Sequence, residues 1–136
     1  MHETFNDLNN RFPNVKLSYE TIIHKKVLNS QFICLIPKGA KCFIWFTYFK
    51  NKPSCFIVET KNNKHYFTIT NCCFDKQLCY NTLCYGTLLK INNRLFFTIE
   101  DIFYYKGNNI SSYNWYKKLH TLKNILEKEI NDVYDM

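Results

Sequence analysis

The sequence is poor in the residues that break or loosen a chain. Its 136 residues include only three Gly, three Pro and a single Ala, Ala40. So little Gly and Pro excludes a collagen-like or low-complexity chain, and so little Ala argues against an Ala-rich helical bundle. Arginine is scarce too: of 18 Lys+Arg only Arg11 and Arg94 are arginine. With 11 Asp+Glu the formal charge is +7. No run approaches the ~18 consecutive apolar residues that span a bilayer. Met1 to Asn10 has no apolar core of a secretion signal, so a cytoplasmic location and no membrane partner are expected. The signatures G-x-x-x-x-G-K-[ST], G-x-G-x-x-G and H-E-x-x-H are absent as well.

What the sequence does hold is apolar and aromatic: 46% hydrophobic residues and 18% Phe, Trp and Tyr. A chain of this length and composition is expected to form one domain over residues 1–136 with its own core. The cysteines are odd in number: Cys34, Cys42, Cys55, Cys72, Cys73, Cys79 and Cys84. Most lie inside apolar runs such as Cys42-Phe43-Ile44-Trp45, where they act as small hydrophobes in a reducing compartment. There is no C-x-x-C pair, and neighbours on a strand point to opposite faces, so no metal or other cofactor is expected.

Hydrophobic periodicity gives a coarse layout. Residues 4–11 read as a short helix with Thr4 near its cap and Pro13 after it. Residues 1–30 form an N-terminal extension, with Tyr19 to Val27 mixed in character. Strands are expected over residues 31–110, beginning with Gln31 to Ile36 before the turn Pro37-Lys38-Gly39. Lys41 to Phe49 is apolar on both faces and should be central and covered on both sides. Ser54 to Glu59, His65 to Thr70, Leu83 to Ile91 and Leu95 to Phe103 follow, separated by Asn- and Lys-rich turns. A helix is expected over residues 111–131, capped by Ser111 or Ser112. Trp115, Leu119, Leu122, Ile125, Leu126 and Ile130 would form its apolar face, with Lys117, Lys118, Lys123, Glu127 and Lys128 opposite. The class is α+β, a twisted antiparallel β-sheet with a short N-terminal helix and one long amphipathic C-terminal helix laid on it.

Catalytic constellations are thin. His2, His24, His65 and His120 are scattered, and Glu100-Asp101 is the adjacent carboxylate pair before the tail. On an alternating strand those two carboxylates face opposite ways. Aromatics and lysines lie close together along the chain: Trp45, Tyr48, Phe97, Phe103, Tyr104, Tyr105, Tyr113, Trp115 and Tyr116 with Lys38, Lys41, Lys50, Lys106, Lys117 and Lys118. Flat rings stack on bases and lysines attract phosphates, but most rings in so aromatic a chain must build the core.

Tyr85-Gly86-Thr87-Leu88-Leu89, a hairpin, then Leu95 to Gly107 with Asp101 six residues before that Gly, and then a helix resembles the middle of the covalent nucleotidyltransferase fold. That superfamily holds mRNA capping guanylyltransferases, polynucleotide ligases and the non-catalytic cap-binding domain of snurportin. Upstream, Pro37-Lys38-Gly39-Ala40-Lys41-Cys42-Phe43-Ile44-Trp45 resembles the strand following its nucleophile motif K-x-D-G-x-R. The resemblance covers about residues 31–130, and the departures from it are specific. Ile36 stands where the nucleophilic lysine belongs, and Lys38 where the Asp belongs, while Lys41 keeps the basic position. Tyr85 and Thr87 replace the carboxylates of the D-G-E motif around Gly86. An isoleucine cannot form a lysyl–nucleotide bond, so covalent catalysis is not expected.

The resemblance therefore implies a non-catalytic RNA- or mRNA-cap-binding module, closest to the snurportin type. Tyr105 takes the position of the tryptophan that stacks on cap bases, two residues before Gly107. A positively charged methylguanine would gain ~0.5–2 kcal/mol of cation–π energy on such a face. Lys38, Lys41 and Lys106 would meet phosphates, with Asp101 and Trp45 beside them, and RNA or a capped nucleotide would be the partner. The alternatives are a divergent guanylyltransferase or RNA ligase fragment and a protein-interaction subunit of a viral RNA-processing complex. The Lys- and Asn-rich composition also fits an AT-rich genome, which with a stripped capping-type fold suggests a large cytoplasmic DNA virus, in the host cytoplasm or the virion.

Overall fold

The computed structural model describes residues 3–17 and 35–131. The strand expected at Gln31 to Ile36 falls mostly outside that range, as do Tyr19 to Val27, Cys34, His2 and His24. Leu35 and Ile36, which lie inside it, are exposed and not in a strand.

Helix α1 (Phe5–Arg11) starts at the expected place. Thr4 takes the amide of Asp7 while the Asp7 side chain takes that of Thr4, a reciprocal cap that satisfies free donors. Six strands then form one antiparallel sheet. They are β1 (Ala40–Phe49), β2 (Lys52–Lys61), β3 (Lys64–Thr70), β5 (Tyr80–Ile91), β6 (Arg94–Tyr105) and the short β7 (Asn108–Asn109), in the order β3-β2-β1-β5-β6-β7. β1 lies inside this sheet, as its two apolar faces predict. One face packs Phe43, Trp45 and Phe49 with Phe56, Val58, Leu83 and Phe103, covered by Leu8 of α1. The other packs Phe46 with Cys55, Leu78, Cys84, Ile102, Leu122 and Ile125.

The asparagines have a structural use. Lys50-Asn51, Asn62-Asn63, Asn92-Asn93 and Lys106-Gly107 all have positive φ and close the four hairpins. Two successive residues of that conformation make the tight turn whose twist matches the strands it joins, and Asn and Gly tolerate it best. The β5–β6 hairpin runs past the start of β1, where Ala40 pairs with Leu88, and its far end exposes Ile91, Leu95 and Phe96.

Between β3 and β5 come β4 (Cys73–Phe74) and a single 3-10 turn, Lys76–Cys79, capped by Asp75. The C-terminal helix, expected over residues 111–131, differs from expectation at both ends. α2 spans Trp115–Asn124, and Asn114, not Ser111 or Ser112, accepts the amide of Lys117 as its cap. Ser111 is held earlier, its amide and hydroxyl both donating to the Asn109 side-chain oxygen. A π-helical turn, Ile125–Glu129, continues α2 and ends in β8 (Ile130–Asn131), which pairs with β4. Replacing Asn114 by Ala is expected to cost about 1 kcal/mol in urea unfolding. Ser112→Ala should leave the midpoint unchanged, and the reverse ranking would show the cap to be misassigned.

The buried stripe of this helical segment is Lys118, Leu122, Ile125 and Glu129. Trp115, Leu119 and Leu126 of the expected apolar face are instead exposed. Lys118, expected in solvent, is buried because it meets the Asp101 carboxylate on β6.

Candidate nucleic-acid interface

The structure separates the six residues that the sequence proposed as one site. Trp45 is core: its side chain is 1% exposed, its indole N–H donates to Asn81 Oδ1 at 2.8 Å, and the Arg11 guanidinium lies 5.5 Å over its ring. Lys38 is exposed in the bend before β1. Tyr105 and Lys106 lie at the end of β6 remote from Lys41. Five residues separate Tyr105 from Glu100, the β6 partner of Lys41, which is roughly 16 Å along a strand.

Tyr105 and Lys106 belong to the end of the C-terminal helical segment. The Tyr105 hydroxyl donates to Glu129 Oε1 at 2.7 Å, Lys106 Nζ donates to the same oxygen at 2.5 Å, and Asn124 Nδ2 donates to the Tyr105 oxygen at 3.3 Å. Burial and the Glu129 hydrogen bond hold the Tyr105 phenol above its ordinary pKa, and the same carboxylate raises Lys106. The Lys106 ammonium also lies 5.0 Å over the Tyr105 ring.

Lys41 sits at the centre of a different cluster. Its Nζ donates to the Thr87 hydroxyl at 2.5 Å and to Glu100 Oε1 at 2.7 Å, and the Thr87 hydroxyl donates to Glu100 Oε2 at 2.5 Å. Lys41 and Thr87 face each other because they are cross-strand partners of β1 and β5. Glu100 joins them at a bulge: the register steps from Tyr85↔Asp101 to Gly86↔Ile99, which leaves Glu100 as the extra residue. Thr87 is fully buried, so its hydroxyl needs both partners.

Asp101, next along β6, takes another lysine. Lys118 Nζ of α2 donates to Asp101 Oδ1 at 2.8 Å, and its side chain is only 7% exposed. The same ammonium lies 5.5 Å from the Trp115 ring and 5.8 Å from that of Phe103. The start of α2 thus gathers rings and cations. Trp115 is 42% exposed and Tyr116 62%, Tyr113 is exposed beside them with Lys117 Nζ 5.3 Å over its ring, and the first turn holds no acidic residue.

Every acidic residue among the described ones is engaged within the fold. Glu3, Glu59, Glu100, Asp101, Glu127 and Glu129 hold ion pairs, and Asp7 and Asp75 cap helical turns. The positive excess is therefore carried by lysines at the surface, Lys117 among them. Neither a family model nor a curated protein matches the chain.

Burial raises the pKa of the Cys42 thiol to about 11 and that of Cys84 to about 12, and it raises Cys55, Cys72 and Cys79 too. These thiols stay protonated and unreactive at neutral pH. Among the described residues, no three of His, Cys, Asp and Glu are arranged to hold a metal ion, and no helix is long and apolar enough to cross a membrane.

Sequence reasoning missed the Lys41–Thr87–Glu100 cluster as a unit and the burial of Lys118. The clue to the first was Glu100-Asp101 inside an apolar run, since carboxylates there need partners. No local signal marked the second.

Proposed function

We propose that this protein is a non-catalytic module that binds single-stranded RNA, built on a capping-type nucleotidyltransferase fold. The observation that carries this reading is the start of α2, where the exposed rings of Tyr113, Trp115 and Tyr116 lie among Lys117 and Lys118 with no acidic side chain in the turn. Bases stack on such rings whatever their identity, and each stack contributes ~1–3 kcal/mol. The exposed Lys117 supplies the charge that meets phosphates, while Lys118, buried against Asp101, lies over the Trp115 ring.

The capping-type descent is supported by two placements. Lys41 and Thr87, which the resemblance aligns with the basic position of the nucleophile motif and the Glu of D-G-E, are in contact. Gly39 and Gly86, the glycines of the same two motifs, both sit where a neighbouring backbone leaves no room for a side chain. Ile36 in place of the nucleophile argues against a covalent route. Tyr105 is taken up by Glu129 and Lys106, so the cap-specific part of the reading has less support than RNA binding. A cytoplasmic viral setting belongs to the same proposal and rests on composition.

Tryptophan fluorescence tests it directly, because Trp45 is buried and Trp115 is not. A short oligo(U) is expected to quench the emission saturably at low salt, with the quench lost in Trp115→Phe. Trp115→Ala should weaken binding about tenfold by fluorescence anisotropy. No saturable response at low salt would sink the proposal. A capped oligonucleotide that binds far tighter than its uncapped form would restore the cap reading, and an acid-labile adduct with labelled GTP and magnesium would replace both with an enzyme.

A further inference from the structure

β3 ends the strand order: β2 lies on one side of it and, among the described residues, no strand on the other. Its seven residues keep an unbroken register with β2, from Cys55↔Thr70 to Lys61↔Lys64, with no bulge and no proline. The opposite edge of the sheet is blunted. There β7 covers Tyr104 and Tyr105 of β6, and the bulge at Glu100 interrupts the strand. Proteins commonly protect edges by such devices, because a row of unpaired N–H and C=O groups is a template for another strand. β3 has none of them beyond Lys64 at its start.

The turn fixes which backbone groups are free. Lys61 and Lys64 flank Asn62-Asn63 and exchange hydrogen bonds across that two-residue hairpin. Antiparallel pairs alternate, so Tyr66, Thr68 and Thr70 bond to β2, while His65, Phe67 and Ile69 turn their N–H and C=O outward. Among the described residues none of these outward groups has a partner. The space beside them is open. A groove of about 660 Å³ is lined by the consecutive residues Asn63 to Thr68, with Phe5, Asn6 and Asn9 of α1. A space above one face of a strand would touch alternate residues, so this one runs along the edge.

We infer that β3 pairs with β3 of a second copy of this chain, antiparallel about a two-fold axis at Phe67. This register sets Phe67 opposite Phe67 and His65 opposite Ile69, so every outward group of the edge meets a partner. A shift of two residues either way leaves Ile69 or His65 with no strand residue opposite. The side chains agree. Tyr66 and Ile69, each 53% exposed, come to face Thr68 and His65 of the other copy. Charge agrees as well. Lys64 faces Thr70, which keeps the two Lys64 side chains roughly 20 Å apart along the strands, well beyond the ~8 Å screening length at physiological salt. The rest of β3 carries no Lys, Arg, Asp or Glu, so a like strand meets no repulsion, and an acidic foreign strand would find Lys64 alone. The pairing joins both sheets into one and leaves α2 free, since α2 contacts β6 on the far side of the sheet.

Sedimentation velocity of the intact chain at rising concentration is expected to show a shift to twice the mass of one chain. Over the same range, hydrogen exchange followed by NMR should slow at the His65, Phe67 and Ile69 amides. Two double variants test the register, and both keep the core because Tyr66 and Thr68 are exposed. Tyr66→Lys with Thr68→Lys sets like charges directly opposite each other and should weaken dimerisation about tenfold. Tyr66→Lys with Thr68→Glu sets opposite charges there and should restore it. Equal dimerisation by the two overturns the inference, as does a dimer in which the three amides exchange as fast as in dilute solution. A chain that stays monomeric at millimolar concentration also overturns it and leaves the edge to a foreign strand. Quenching of Trp115 by oligo(U) is a separate measurement, so neither result decides the other.

Discussion

Gly86→Ala is expected to prevent the domain from folding. A Cβ added at Gly86 would lie 1.8 Å from the carbonyl oxygen of Thr98, across the β5–β6 ladder. That oxygen is backbone and cannot swing aside, so β5 and β6 would have to separate where the Glu100 bulge already breaks their register. Overpacking a well-filled site commonly costs about 1–3 kcal/mol, and an overlap with backbone belongs at or beyond the top of that range. Against a total stability of roughly 5–15 kcal/mol, such a loss leaves little folded protein. Far-UV circular dichroism and urea unfolding of Gly86→Ala provide the measurement. A folded variant within about 1 kcal/mol of wild type would show that β5 and β6 are not this close. Gly39→Ala should cost less, because its Cβ would stand 2.6 Å from Leu88 O, a smaller overlap than the 1.8 Å at Gly86.

Asp101→Ala carries the second large effect. It leaves the Lys118 ammonium, 7% exposed, without its carboxylate. Removing one partner of a buried pair costs ~3–5 kcal/mol, since the remaining charge stays desolvated. The rings of Phe103 and Trp115 offset only part of this, as does the 27% exposure of Asp101. A loss of about 3 kcal/mol is therefore expected. The double variant Asp101→Asn, Lys118→Met should recover most of it, because no buried charge remains. A single variant that unfolds at the wild-type urea concentration would show that Lys118 reaches water.

Lys118 and Asp101 mark the boundary of what the sequence can tell. The strand β1 is legible because Phe43 and Trp45 alternate with Ile44 and Phe46, so both faces have to be covered. α1 is legible because Thr4 and Asp7 carry their cap within four residues. Lys118 is not legible. Its neighbours along the chain are those of a solvated helix face, and its burial depends on Asp101, 17 residues away and on another element. The start of α2 is obscured for a related reason. Ser111, Ser112 and Asn114 can all cap a helix, and Asn109 settles the choice by capturing Ser111. Among the candidate site residues, Lys41 is visible in the sequence but its partners are not, since strand pairing and a bulge bring Thr87 and Glu100 to it. Trp45 and Tyr105 look like accessible rings in the sequence because hydropathy cannot distinguish a ring in the core from one at the rim.

The strand order has a consequence for how the chain assembles. β1–β2–β3 and β5–β6–β7 are each a meander closed by turns of two residues, and such local pairings form fast. Among the described residues, the one seam of the six-stranded sheet between residues distant in sequence is β1 with β5, from Ala40↔Leu88 to Thr47↔Tyr80. Joining it closes a loop of about forty residues, an entropic toll absent from every other pairing of that sheet. Rates fall as contacts become more remote along the chain, so this docking event is expected to be slower than closing any of the hairpins. Gly86 and Lys41 lie on the seam itself. The glycines and the lysine that the motifs single out are thus also where two halves of the protein first have to recognise each other.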